Sequence, residues 1–154
     1  MAKKWGSVDF AELEQLKSNT DDAHMDEFCR KASKELAARL LSLVIPRTPV
    51  GIYSEGSGKT GGTLRRGWTG EQNSSAKAYA QSLAVQRAGN DYIVEIINPV
   101  KYASYVEFGH RHKIAGWVEG QYMLTVSERD LQVKMPSILS AMIEKHLREL
   151  VGAK

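Results

Sequence analysis

The spacing of apolar residues predicts two long helices. Over residues 22–44, apolar side chains recur every three or four positions, which is the period of one helix face. This first stripe consists of Phe28, Ala32, Leu36, Leu40 and Leu43. Pro46 and Pro49 are expected to end the helix. Over residues 123–151 a second helix is predicted, with a kink or break near Pro136. Its stripe consists of Ile138, Met142, Ile143, Leu147, Leu150 and Val151.

Shorter elements are predicted before and between these helices. Residues 8–17 place Phe10, Leu13 and Leu16 three apart, which favours a short amphipathic helix. Residues 78–99 predict two strands around Gly89-Asn90, a pair typical of tight hairpins. Apolar alternation on the two arms comes from Leu83, Val85, Tyr92, Val94 and Ile96.

Two glycine-containing segments show neither the helical nor the strand period of apolar residues and are predicted to be loops. Residues 46–66 form a long loop, and residues 110–121 form a second, polar one. Between the strands and this second loop, residues 102–108 predict a short helix that ends at Gly109. The element order predicts one α+β domain over residues 1–154, in which a small antiparallel sheet packs against the two long helices.

Composition narrows the classes of protein. The 154 residues are 42% hydrophobic and 25% charged, as in a globular domain. The longest apolar run, LLSLVI at 40–45, is far shorter than the roughly 20 residues that span a membrane. The N-terminal arm, about residues 1–20, does not resemble a signal peptide, so we expect synthesis in the cytoplasm. The single cysteine, Cys29, excludes an internal disulfide and a cysteine-based zinc site, and we expect it to be packed.

Charge is distributed unevenly along the chain. Residues 1–30 carry four basic and seven acidic side chains, whereas residues 31–154 carry seventeen and eleven. Such asymmetry favours head-to-tail contact between copies, or weak attraction to a polyanion. Dedicated nucleic-acid binders cluster basic charge more tightly.

Gly58-Lys59-Thr60 resembles the end of a phosphate-binding loop, but the rest of that motif is absent. Tyr53 stands where the first glycine is required, and a helix precedes the loop instead of a strand. Gly61, Gly62 and Thr63 are also expected to begin a helix poorly. A mobile loop is therefore the preferred interpretation.

No catalytic or metal-binding pattern stands out. His110 and His112 have a spacing that could bind a metal on a strand, but a third ligand is missing and Arg111 and Lys113 repel a cation. The sequence has no nucleophile-elbow motif. We expect no enzymatic activity and no cofactor.

Basic and aromatic residues nevertheless coincide in both loops. One group contains Lys59, Arg65, Arg66 and Trp68, and the other contains Lys101, Arg111, Lys113 and Trp117. Such groups could contact nucleic acid, because basic side chains bind phosphates and nucleobases stack on aromatic rings. Because Trp and Arg are also enriched in protein interfaces, we prefer the interpretation that these residues form an assembly interface. The interface candidates are Lys59, Arg65, Arg66, Trp68, Glu107, His110, Arg111, His112, Lys113 and Trp117.

Three segments together resemble a tail-component family of long-tailed bacteriophages and prophages. TPV (48–50) followed by GGTLRRGW (61–68) resembles T-P-V-D-T-G-x-L-R-x-x-W, although here VGIYSEGSGKTGGT replaces the short turn. YASYVEFGHR (102–111) resembles the family's most characteristic signature, and GWVEGQYMLTVSE (116–128) resembles the segment before its last helix. The resemblance covers roughly residues 25–150.

The resemblance implies a structural protein of the virion, at the head–tail junction. Members look like tail-completion or neck proteins that form a ring, expected here to be a hexamer. The ring would join the tail tube and its terminator to the head connector, with genomic DNA in the lumen and no membrane. Residues 102–109 would then hold the second loop at an interface. Tyr102, Tyr105 and Phe108 themselves are expected to be core residues, which is compatible with this role of the loop.

Overall fold

The computed structural model describes residues 22–72 and 74–152. Its elements are α1 (Asp22–Arg47), α2 (Thr63–Gly67), α3 (Ala76–Ser82), β1 (Val85–Ala88), β2 (Asp91–Val94), α4 (Ala103–Phe108), β3 (Gly109–His112), β4 (Gly116–Glu119) and α5 (Met123–Gly152). Two long helices with short antiparallel strands confirm the predicted α+β class. The helix predicted at residues 8–17 lies outside the described residues.

Helix α1 is the centre of the described fold because it packs on two sides. One buried cluster joins its N-terminal half to β2 and α5, as in the contact of Phe28 with the group around Leu131. A second cluster joins its C-terminal half to α2 and α3, around Leu41 and Val44. The predicted stripe was therefore too narrow, since a helix covered on two sides needs a wider apolar surface.

Both prolines inside the long helices are tolerated. Helix α1 continues past Pro46 to Arg47, and the Thr48 N–H closes the last turn on the Val44 carbonyl at 3.0 Å. Arg47 also binds Ser127 and Asp130 of α5, which holds this end in place. Helix α5 is continuous through the exposed Pro136, so the predicted break does not occur.

The hairpin predicted at Gly89-Asn90 is confirmed, but its first arm is shorter than expected. Strand β1 pairs with β2 from Val85–Val94 to Ala88–Asp91. The preceding residues form α3, whose first turn is capped by the Ser75 hydroxyl, which accepts the Ala78 N–H at 3.1 Å. A serine N-cap thus starts a helix where strand was predicted.

The prediction of a polar loop after Gly109 is also wrong in part, because these residues form a second hairpin. Strand β3 pairs with β4 from Gly109–Glu119 to His112–Gly116. The described strands thus form two separate two-stranded sheets.

Asp26 ties α1 to the β1–β2 hairpin. Its carboxylate accepts hydrogen bonds from Arg30 at 2.7 Å, the Tyr92 hydroxyl at 2.8 Å and Arg87 at 3.1 Å. These bonds, the one from Arg30 foremost, hold the pKa of Asp26 below its ordinary value. Burial and the bond to Asp26 raise the pKa of Tyr92 to about 12.

We expect stability to fall at both ends of the pH range. Because the pKa of Asp26 is lower in the folded chain, its contribution is complete above about pH 4 and is lost as pH falls through the folded pKa. Because the pKa of Tyr92 is raised, its contribution is complete below 10.0 and is lost as pH rises towards about 12. In denaturant titrations across pH, Asp26→Asn should reduce the loss of unfolding free energy at acid pH, and Tyr92→Phe should reduce the loss at alkaline pH. Losses as large as in the unmodified chain would contradict these assignments.

Candidate assembly interface

Glu107 of α4 holds the start of α5. Its buried carboxylate accepts the N–H groups of Leu124 and Thr125 at 2.9 and 2.8 Å and the Thr125 hydroxyl at 2.7 Å. The first N–H groups of a helix have no partner within the helix, and a negative charge there also complements the helix dipole. Glu107 therefore fixes the start of α5 against α4, across the base of the β3–β4 hairpin.

Two glycines let the backbone approach itself closely beside this cap. Gly109 has a φ of +85°, a conformation that disfavours other residues. A Cβ on Gly120 would overlap the carbonyl oxygen of Glu107. The Tyr122 N–H also donates to that same carbonyl, at 3.0 Å. The base of the β3–β4 hairpin is thus anchored to the end of α4.

We expect Gly120→Ala to destabilise the chain by about 1–3 kcal/mol, the usual cost of overpacking. The added methyl would meet the backbone of Glu107 and Phe108, which cannot turn aside as a flexible side chain could. Gly152→Ala is the control, because nothing lies near that position. Urea unfolding measures both, and equal midpoints for the two variants would contradict the close approach.

Beyond its base, the β3–β4 hairpin projects with both faces exposed. Every residue of β4 is exposed, and among the described elements the hairpin packs chiefly on α4. The register places Arg111 opposite Trp117 on one face and His110 opposite Val118 on the other. Trp117 is 59% exposed, and Ile114 at the turn is 93% exposed. Apolar side chains at a projecting tip suit a contact with another chain.

His112 shapes the turn of this hairpin. Its Nδ1 accepts the N–H groups of Ile114 and Ala115 at 3.3 and 3.2 Å. This nitrogen is therefore already engaged with the backbone. Within residues 22–72 and 74–152, no group of three His, Cys, Asp or Glu side chains could hold a metal ion.

The aromatic residues of α4 and its N-cap lie at the surface, so the expectation that they are core residues is wrong. Tyr102, Tyr105 and Phe108 are 45%, 58% and 43% exposed. A helix of six residues has one inner face, and Glu107 occupies it. The Tyr105 and His110 rings lie 5.9 Å apart, so α4 adjoins the hairpin face that carries His110 and Val118. Arg111 and Trp117 lie on the opposite face. We use the name aromatic surface for the exposed residues of α4 and of both hairpin faces, namely Tyr102, Tyr105, Arg111, Lys113, Ile114, Trp117 and Val118.

Trp68, by contrast, is buried against the end of α1. Its indole N–H donates to the Thr48 hydroxyl at 2.8 Å, and that hydroxyl donates to the Val44 carbonyl at 2.7 Å. Arg65 donates to the Thr48 carbonyl at 2.7 Å. These contacts close the C-terminus of α1, where the last carbonyls lack helical partners.

The glycine-rich loop leaves and returns at one point. A Cβ on Gly61 would overlap the carbonyl oxygen of Gly51, and residues 52–60 between them are exposed. The two ends of the inserted loop thus lie side by side. Gly62, with a φ of 88°, then precedes α2 and provides no side-chain cap, and the helix has five residues, which agrees with the expected poor helix start.

Gly58-Lys59-Thr60 lies in the exposed part of this loop. The Lys59 ammonium is 5.8 Å from the centre of the Tyr53 ring, and its backbone N–H donates to the Ser57 hydroxyl at 3.3 Å. A phosphate-binding loop opens directly into a helix N-terminus, whereas α2 begins only at Thr63 and has five residues. The motif therefore lacks the arrangement that binds phosphate.

The structure places the predicted interface residues in separate regions. The hairpin holds His110, Arg111, His112, Lys113 and Trp117. Arg65 and Arg66 lie on α2 with Trp68 directly after it, and Lys59 lies in the exposed glycine-rich loop. Trp68 and the capping residue Glu107 are buried, so their side chains pack within the chain. Sequence reasoning missed Ile114, which looked like an ordinary residue of a polar loop.

The chain matches a known family from its N-terminal region to the end of α4. Residues 12–109 match the HK97-gp10_like model, described as "Bacteriophage HK97-gp10, putative tail-component". The matched segment is well over half of the chain. The chain belongs to this tail-component family. No curated protein and no solved structure matches it significantly.

Membership of the tail-component family implies a structural role in a phage tail and a location in the virion. The match includes both TPV and the YASYVEFG signature, and the structure explains that signature through the Glu107 cap and the Gly109 turn. It ends at Gly109, so most of the hairpin and α5 lie beyond it. No helix in the described part of the chain is long and apolar enough to cross a membrane.

Proposed function

We propose that this tail component is a non-enzymatic structural protein of the phage head–tail interface. Copies assemble as a ring, expected to be a hexamer, that joins the tail tube to the head connector and lets DNA pass. The observation that supports this most is the aromatic surface on the projecting hairpin. Trp, Tyr and Arg are the residues that dominate protein interfaces, and here they are exposed on α4 and on the hairpin that follows it.

A ring needs two different surfaces on each copy. In such heterologous contacts, one surface meets a different one on the next copy, and the series closes when the rotation allows. The aromatic surface, on α4 and the hairpin, is one of these two surfaces in the proposed ring. The excess of positive charge over residues 31–154 suits a lumen through which DNA passes.

Reversing the charge of the hairpin should impair the joining of heads and tails. Arg111→Glu with Lys113→Glu changes two exposed side chains that make no hydrogen bond within the described structure, so the fold should remain intact. We expect lower infectious yield and separated heads and tails in electron micrographs. Lys77→Glu, exposed on α3, is the control. Normal yield from particles that carry the double variant would contradict the proposal.

Arg65 is a poorer site for this experiment. It donates to the carbonyls of Thr48 and Pro46, so its reversal would also disturb the end of α1. A lower yield from an Arg65 variant would therefore not separate folding from assembly.

The alternative function is a nucleic-acid-binding module that uses the basic loops. Neutralised phosphates release counterions, so a tight DNA complex that weakens steeply with added salt would favour this alternative. Weak DNA binding, together with rings or association with tails, would favour the structural role. Fluorescence anisotropy with duplex DNA at several salt concentrations makes this distinction.

A further inference from the structure

Tyr122 has a backbone conformation that residues with a side chain disfavour. Its φ is 47°, in the left-handed region, where a Cβ comes too close to the following carbonyl oxygen. Among the described residues, seven glycines also have a positive φ, and Glu71 is the one further residue with a side chain that does. Glycine adopts this region without steric cost. A tyrosine here is therefore unfavourable for the folded chain unless its side chain compensates.

Backbone hydrogen bonds fix this conformation whatever the side chain. The Gln121 N–H donates to the Val106 carbonyl at 2.8 Å, and the Tyr122 N–H donates to the Glu107 carbonyl at 3.0 Å. The Tyr122 carbonyl in turn accepts the Val126 N–H at 2.9 Å, in the first turn of α5. The chain thus turns from the end of α4 into α5 at this residue. The turn requires a left-handed residue, but these bonds do not require a tyrosine.

The Tyr122 side chain finds little compensation in the part of the chain that the structure describes. It is 42% exposed, and it belongs to neither of the two buried clusters around α1. Its hydroxyl makes no hydrogen bond to the described residues. Residues in unfavourable backbone conformations concentrate at functional sites, where the strain serves the function. A contact outside the chain would account for a tyrosine at this position.

Tyr122 adjoins the aromatic surface. Its hydrogen bond to Glu107 places it beside the last residues of α4, where Tyr105 and Phe108 are exposed. Val126 lies one turn further along and is also exposed, and helix residues four apart share a face. Exposed apolar and aromatic residues therefore continue from α4 across Tyr122 to the first turn of α5.

We infer that Tyr122 contacts a second copy of this chain, at the edge of the aromatic surface next to α5. The partner follows from continuity, because the aromatic surface is one of the two surfaces through which copies meet in the proposed ring. This inference rests on that ring and adds a residue that the sequence did not single out. Tyrosine binds the neighbouring copy at the expense of backbone strain, whereas glycine would relieve the strain and lose the contact.

Replacing Tyr122 with glycine tests this inference, because it relieves the strain and removes the side chain together. Urea unfolding is measured at a concentration at which the chain is monomeric. There the midpoint of Tyr122→Gly should be no lower than that of the unmodified chain. Self-association, measured by analytical ultracentrifugation of the full chain, should weaken by about thirtyfold, the loss typical of truncating an aromatic hot spot.

Two further variants separate the strain from the side chain. Glu71→Gly relieves strain of the same kind, since Glu71 has a φ of 63° and is exposed in the turn after α2. Its midpoint should also be no lower than that of the unmodified chain, and its self-association should be unchanged. Tyr122→Ala removes the aromatic ring but keeps a Cβ. It should weaken self-association as much as Tyr122→Gly does and unfold at a lower urea concentration.

The outcomes separate this contact from the proposed function. A midpoint of Tyr122→Gly well below that of the unmodified chain would overturn the contact, because the side chain would then stabilise its own chain. Rings that form equally well with Tyr122→Gly would also overturn it and leave the head–tail role intact. Unchanged self-association with weaker binding of duplex DNA would assign Tyr122 to nucleic acid instead. A chain that stays monomeric at every concentration would contradict the contact, and the yield of joined particles would then decide the role.

Discussion

Replacing Glu107 with alanine should destabilise the chain by about 2–3 kcal/mol, because buried hydrogen bonds to a charged group are among the stronger ones. The carboxylate accepts two N–H groups and one hydroxyl at the start of α5. Alanine leaves these donors without an acceptor and removes a negative charge from the helix N-terminus. The loss should also be felt at the hairpin, whose base leaves α4 at the next residues.

Two further variants separate the cap from general effects of charge. Glu107→Gln keeps an acceptor oxygen but no charge, so its loss of stability should be intermediate. Glu119→Ala removes an exposed carboxylate on the same hairpin and should change stability by less than about 0.5 kcal/mol, as most surface substitutions do. Urea unfolding gives the three values. A Glu107→Ala variant as stable as Glu119→Ala would refute the capping role.

Replacing Trp68 with alanine should cost about 3–5 kcal/mol, the range for truncating a buried large aromatic residue. The indole is buried in the cluster around Leu41 and Val44 and donates to Thr48. Alanine would leave a cavity at the end of α1 and remove a hydrogen bond. Trp68→Phe should cost less, because most of the packing remains.

Trp117→Ala is a matched control, since it removes the same side chain from an exposed position. We expect it to change the unfolding free energy by less than about 0.5 kcal/mol. The two tryptophans should thus separate stability from assembly, with Trp68 needed for the first and Trp117 for the second. Equal destabilisation by both substitutions would contradict this division.

The periodic parts of the fold could be predicted because their signals are local. The stripes of α1 and α5 and the Gly89-Asn90 turn follow from spacing and turn chemistry alone. The β3–β4 hairpin was missed because its strands have four residues each and show no apolar alternation. Helix α2 was missed because its neighbours hold it in place, for example through Asn98, whose side chain donates to the Leu64 carbonyl at 2.8 Å.

The candidate site shows the same limit. Residue type and spacing identified Arg111, Lys113 and Trp117, which the structure shows exposed together. The same criteria also selected Trp68 and Glu107, which are buried. An aromatic ring or a carboxylate can serve either a core or an interface, and only the tertiary contacts decide which. The sequence carries no local signal for that decision.

We propose that this tail component forms a ring between head and tail. The most direct test is an electron cryomicroscopy reconstruction of the intact particle in which this chain is located. We expect a closed ring of copies at the head-proximal end of the tail, around a lumen wide enough for duplex DNA. Density for the chain at any other position in the particle, or its absence from mature particles, would contradict the claim.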